Sequence, residues 1–370
     1  MTFQLLLMEN RELSMKELFK LSKSKKIISI LFLANLTTAI FAFGNGLFDF
    51  SAEANMGFLN GNIYEYVFIE DYPTTDNVLS KLDWEVAVPY AQAKLSLDLI
   101  KYLHLDLSGR LGIPGKSGYM QDYDWMNPSY YYNYDVYSVR DNFDDYTHYS
   151  KSTNNLSDYK MISASLGSNI SFLSATFSPF INYEYENYAF DGVGGYYIYE
   201  VLQKDASTGK YYNATATARG AISGKVISYE QSYQAFFLGF NFDVSFWHIR
   251  LNGFAKFSPK LTFIDSYDRH YINLDSNDDG EVDGGTLYWD DLNNASQFRT
   301  EITVYYDFND NHSLGLNFGL QKISTIKGSD SYKYMDLDGN ITSSAWTLAD
   351  AQGGTDRLIF NLSLSYNFRF

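Results

Sequence analysis

Two short spacings of acidic and imidazole side chains are where this 370-residue sequence could do chemistry. One is Asp268-Arg269-His270. The other is Asp122-Tyr123-Asp124, within Gly118-Tyr119-Met120-Gln121-Asp122-Tyr123-Asp124-Trp125. On an extended strand, positions i and i+2 share a face, so each segment presents two functional groups side by side. A carboxylate beside an imidazole fixes its tautomer and stabilises the charged ring once it has taken a proton. Two carboxylates facing one way hold and polarise a water and share a proton, because like charges disfavour double ionisation. Taken singly, most such pairs are explained by calcium binding or plain solvation. The chain contains no cysteine, which excludes disulfides, a thiol nucleophile and thiolate metal sites.

The elements that must position these groups are β-strands. Leu358, Phe360, Leu362, Leu364, Tyr366, Phe368 and Phe370 occupy alternate positions, with Asn361, Ser363, Ser365, Asn367 and Arg369 between them. Period-2 alternation means one apolar and one polar face. The pattern recurs from Phe236 to Phe246, from Leu314 to Leu320, and from Leu95 to Leu107. Between such runs, tight connections fall near 100–102, 173–174, 247–248 and 309–311. Longer polar connections span about Asn60 to Ser80, Pro114 to Asp158, Asp191 to Lys225, Asp265 to Ser296, and Lys327 to Thr355. Short and long alternate strictly, the asymmetry of an outer-membrane barrel with short periplasmic turns and longer extracellular loops. The reading is all-β: a ten-stranded antiparallel transmembrane β-barrel. Of the five histidines, His104, His248 and His312 fall at or beside short turns, whereas His148 and His270 belong to the long-loop side.

Composition and the N-terminus agree. Aromatic residues make up 18% of a chain of slightly polar mean hydropathy, as suits a wall with aromatic girdles and a wet interior. Lys20, Lys23, Lys25 and Lys26 precede the apolar run Ile27 to Phe41, which ends at Ala42. That is the layout of a secretory signal peptide, so residues 1–42 are expected to be removed and residues 43–370 to form a single domain. Residues 1–42 carry six basic and three acidic groups, so their loss takes the net charge from −16 to −19. Such acidity argues against nucleic acid and favours cationic partners.

The segment Gly118 to Met126 resembles the omptin motif that holds that family's aspartate couple. Asp268 and His270 resemble its Asp–His dyad in spacing and chain order. Leu82-Asp83-Trp84, the spacing of Asp144 and His148, and Tyr183, Tyr188 and Gly194-Gly195-Tyr196 extend the similarity along nearly all of the expected mature chain. The resemblance to the omptin family of outer-membrane proteases implies peptide hydrolysis at the cell surface. Water would be held between Asp122 and His270, with His270 as general base, Asp268 orienting it and Asp124 supporting Asp122. It also implies that Glu65, in Tyr64-Glu65-Tyr66-Val67, receives a basic side chain before the scissile bond. The expected partners are therefore polypeptides with Arg or Lys, together with outer-membrane lipid.

This sequence departs from the family at some points. Ser266 stands where the family has a second aspartate, although Asp265 is adjacent. Tyr185 and Asn187 stand where a Glu and an Arg help bind lipopolysaccharide, which leaves a lipid requirement open. Asp275 to Asp283 reads like the start of a calcium loop, but Thr286 takes the place of its closing acid. No metal or other cofactor is expected. The rival readings are a non-enzymatic adhesin, an inactive omptin-like barrel and, more weakly, a narrow porin.

Overall fold

The computed structural model describes residues 48–370 apart from 73, 100–102, 127–135, 138–145, 210 and 275–281. The expected signal segment 1–42, Asp144 and most of the calcium-like stretch lie outside the described residues. Thirteen strands follow in order: β1 (Phe48–Phe68), β2 (Val78–Leu99), β3 (Leu103–Gly112), β4 (Gly115–Asp124), β5 (Val136–Tyr137), β6 (His148–Ser168), β7 (Ile170–Phe172), β8 (Ala175–Lys204), β9 (Tyr211–Phe246), β10 (Ile249–Leu274), β11 (Gly284–Asp307), β12 (His312–Asp336) and β13 (Thr347–Arg369).

These strands make ten staves. β3 and β4 each pair with β2 on one side and β6 on the other, so they are one stave broken at Ile113-Pro114. Proline has no N–H to give the ladder there. β7 continues β6 along β8, and β5 is a two-residue parallel addition to β9. From β8 to β13 each strand pairs antiparallel with the next. β1 lies beside β2 and pairs with β13 from Ser51↔Arg369 to Phe68↔Gln352, which closes the sheet.

The alternation read from the sequence is inside-out. On β13, Leu358, Phe360, Leu362 and Leu364 are exposed, whereas Asn361, Ser363, Ser365 and Asn367 are buried. An apolar outer wall around a polar interior is the arrangement of a barrel in lipid. Phe172, Leu173, Phe246 and Trp247 crowd the short-turn end, where aromatic rings suit the membrane interface. Going up β10, the outward residues Leu261 and Phe263 give way to Asp265, Tyr267 and Arg269. On β1, Met56 and Phe58 give way to Asn60, Asn62 and Tyr64. The apolar band ends there, and the staves continue beyond it.

That continuation differs from the sequence reading in one respect. The long connections are largely strand: β1 reaches Phe68, β8 reaches Lys204 and β9 resumes at Tyr211. Above the hydrocarbon both faces of a ladder can be polar, so the apolar alternation disappears while the backbone pairing persists. Glu65 and both acid pairs therefore sit on strands.

Charged and aromatic side chains cross the lumen. Lys256 Nζ donates to Glu184 Oε2 at 2.7 Å, and Arg299 donates to Glu184 Oε1. Arg357 meets Glu186 at 2.8 Å, where Tyr159 and Tyr188 also donate, at 2.9 and 3.1 Å. A layer of Trp84, Tyr188, Phe190, Tyr229 and Tyr233, with Leu59, Ile63, Ile264, Leu292 and Ile359, completes the core. This packing argues against an open pore. Removing one partner of a buried ion pair strands the other charge, at a cost of about 3–5 kcal/mol. Glu184→Ala strands two cations, so its unfolding midpoint in detergent should fall well below the parent's. An unchanged midpoint would show that the cluster is not needed for stability.

Candidate active site

The phase of β4 decides where its aspartates point. Ser117 is fully buried, but so is Met120, three positions on, because the ladder with β6 shifts register between Lys116 and Tyr119. Gly118 makes the shift at φ 104°, a conformation that suits glycine. A Cβ there would come within 2.3 Å of Glu85 Oε2, which accepts from the Tyr119 N–H at 3.0 Å. The bulge puts Asp122 and Asp124 on the same inward parity as Met120. Ser80 is cross-strand from Asp124 and hydrogen-bonds both carboxylates. The Oδ1 atom of Asp122 is buried with no hydrogen-bond partner.

β10 presents the second pair. Asp268 is buried between Tyr229 of β9 and Tyr288 of β11, and its Oδ2 lies 2.5 Å from His270 Nε2. The His270 side chain is 30% exposed against 5% for Asp268, so the imidazole faces the mouth and the carboxylate lies beneath it. Tyr288 meets the ring edge-on, with centroids 5.6 Å apart. Nδ1 is the ring nitrogen not engaged by Asp268.

β4 and β10 stand on opposite sides of the mouth, separated by β6, β8 and β9 along the shorter arc. Their charges nevertheless act on each other. Burial opposes charge on His270, but the charge and hydrogen bond of Asp268 and the charges of Asp122 and Asp124 outweigh it, holding its pKa at about 9. Burial first, then Asp124, pushes Asp122 well above the ordinary carboxylate range, against the pull of His270. Asp124 is raised to about 6 by burial, with Ser80 and His270 opposing. Asp122, Asp124 and His270 thus share protons as one set.

Glu65 borders the same mouth. It is buried on β1, and Trp84 Nε1 donates to its Oε2 at 3.3 Å. Burial first, then Asp268 and Asp290, raises its pKa. Trp84 is stacked on Tyr229, with centroids 5.3 Å apart, and Tyr229 reaches Ser266 Oγ at 3.4 Å. Asp265 does not substitute for the acid missing at Ser266. It lies on the outward face, accepting from Trp289 Nε1 at 3.3 Å.

The structure therefore brings Asp122, Asp124, Asp268, His270 and Glu65 to one end of the barrel. His148 is cross-strand from Asp124, with its Nδ1 2.9 Å from Thr147 Oγ1 and its ring against Tyr199. His104 is held between Asp98 and Asp106 at the short-turn end. Ser80 was not found from sequence, because its role depends only on the register of β2 against β4. The raised Asp124 pKa has a consequence for stability. Protonation is favoured in the folded state, so the fold loses stability as pH rises from the ordinary carboxylate value through about 6. Asp124→Asn should raise the melting temperature at pH 8 and leave it unchanged at pH 4. An equal shift at both values would contradict this origin.

Comparison with known proteins agrees with this fold. The chain is 24% identical over 264 residues to a plasminogen activator of Yersinia pestis, spanning 70% of this chain and 75% of that protein. Its fold matches the crystal structure of the outer membrane protease OmpT from Escherichia coli, with TM-score 0.68 and 18% identity, covering 87% of this chain and 97% of the other. The Omptin family profile matches residues 47–370, nearly all of the described barrel and every residue of the site. The chain is an outer-membrane β-barrel that belongs to the Omptin family.

Proposed function

We propose that this protein is a cell-surface endopeptidase that hydrolyses peptide bonds with a water activated between the Asp122–Asp124 couple and the Asp268–His270 dyad. The observation that carries this reading is the placement of the two pairs, facing each other across one mouth, above the apolar band. Membership of the Omptin family supports outer-membrane proteolysis in general.

The reactive state contains one proton shared between His270 and Asp122. An imidazolium facing an ionised Asp122 contains the same protons as a neutral imidazole facing a protonated Asp122. The second arrangement is the reactive one: His270 takes a proton from water, and Asp268 stabilises the charged ring that forms. Asp122, kept neutral by burial and by Asp124, faces the carbonyl side as an acid. As the tetrahedral intermediate collapses, His270 returns its proton to the departing amine. Hydroxide from water bonds to the carbonyl carbon, the C–N bond breaks, and an acid and an amine leave. A basic side chain before the scissile bond would lie against Glu65, whose ionisation an arriving cation favours.

His270→Ala or Asp122→Ala should lower cleavage of a quenched peptide at least ~100-fold while the barrel still folds. Serine- and cysteine-directed inhibitors and chelators should leave the parent's activity intact. Full activity in His270→Ala, or loss with a chelator reversed by zinc, would overturn the mechanism. Glu65→Gln should lose about 2–4 kcal/mol of discrimination for Arg or Lys before the bond, or ~30- to 1000-fold. A parent enzyme that cuts equally after Ala, Leu and Arg would remove the role given to Glu65 and leave the catalytic pairs standing.

A further inference from the structure

The inward row just below the dyad holds two carboxylates that this mechanism does not use. In register, Gln231 of β9 faces Ser266 of β10, Ser266 faces Asp290 of β11, and Asp290 faces Asp330 of β12. Asp290 and Asp330 are 6% and 5% exposed. Like charges directly opposite on neighbouring strands repel, and burial makes the repulsion worse. The Ser331 N–H donates to Asp330, but among the described residues no cation offsets the repulsion. Among the described residues, neither aspartate forms an ion pair, and Asp330 Oδ1 is buried with no hydrogen-bond partner. The inward cation Arg357 is engaged by Glu186 at 2.8 Å.

The backbone makes room for the pair. A Cβ on Gly353 of β13 would come within 1.9 Å of Asp290 Oδ1, so the glycine lets the carboxylate lie where it does. Their charges reach the site: Asp290 acts on Glu65, and both Asp290 and Asp330 feel Asp268. Among the described residues no group of three or more His, Cys, Asp or Glu side chains is placed to hold a metal ion. Ser266 carries no charge and is occupied by Gln231 Nε2 at 2.9 Å. The carboxylates at this level therefore come from β11, β12 and, with Glu65, β1.

Opposed side chains on neighbouring strands have Cβ atoms about 4.5–5.5 Å apart. A planar guanidinium, with five donors spread in a fork, can bridge two carboxylates so spaced, whereas an ammonium is a point charge. We propose that Asp290 and Asp330 are specificity-determining residues that receive the guanidinium of an arginine preceding the scissile bond, so that Arg is preferred to Lys. This rests on the peptidase reading above, with Glu65 flanking the same side chain.

The test uses the full chain in detergent with lipid and three peptides differing only in the residue before the bond: Arg, Lys or norleucine. Asp290→Asn and Asp330→Asn should each lower kcat/KM for the Arg peptide by about 10- to 100-fold, as expected for loss of a charge-assisted bond. The loss should be at least ~10-fold larger for the Arg peptide than for the norleucine peptide, whose rate reports any change in the dyad itself, and the Arg-to-Lys ratio should approach one. Asp330→Glu should restore the ratio. Asparagine relieves the repulsion, so both variants should melt at or above the parent's temperature. If both keep the parent's Arg-to-Lys ratio while Glu65→Gln abolishes the preference for cations, this assignment falls alone. If the parent cuts all three peptides equally, the assignment falls together with that of Glu65.

Discussion

A closed backbone ladder is the constraint on which the rest of this structure depends. Hydrocarbon offers no hydrogen bonds, so a β-sheet crossing it must pair every N–H and C=O within itself. The β1–β13 seam, running from Ser51 to Phe68 on one strand, provides that closure. Once the sheet is closed, its two faces meet opposite solvents: lipid takes the leucines and phenylalanines, and the lumen takes whatever alternates with them. Polar and charged side chains are thereby forced into a narrow interior. There they persist by satisfying one another, as Glu184 does with Lys256 and Arg299.

The same closure makes a catalytic site possible at the mouth. Strands that continue past the apolar band keep rigid backbone pairing where side chains are free to be polar on both faces. Asp122 and His270 come from staves separated by three others, and only the closed sheet brings them face to face. Their proton affinities are set by position: burial and mutual repulsion favour the protonated form of the aspartate couple, and three carboxylates favour the charged form of the imidazole.

Much of this was legible in the sequence because alternation is a strong signal where one face meets lipid. Leu358 to Phe370 reads as a strand with its outer face apolar, and the structure places it so. The spacing of Asp268 and His270 sufficed because an i, i+2 pair shares a face wherever the strand lies. The boundaries above the membrane were illegible for the complementary reason. From Asp191 to Val201 nothing apolar repeats consistently outward, yet β8 continues to Lys204. Relations between strands were also hidden. That Ser80 serves Asp124, or that Ser266 lies opposite Asp290, follows from register, which a bulge such as the one at Gly118 shifts.

The distribution of charge inside the barrel shows how a stable wall supports an unstable rim. Lower in the lumen, each of Lys256, Arg299 and Arg357 has a carboxylate partner. At the mouth, Glu65, Asp122, Asp268, Asp290 and Asp330 outnumber the cations facing them, and buried oxygens of Asp122, Asp268 and Asp330 lack donors. A fold selected only for stability would neutralise those positions, since unpartnered buried carboxylates cost more than a hydrophobic or amide replacement. The cost is tolerable because the ladder beneath does not depend on them. On the proposed function it would also be useful, because a surface short of positive charge binds a cation best when that cation belongs to the substrate. The features that destabilise the mouth are the ones that would draw a basic peptide across Asp122 and His270.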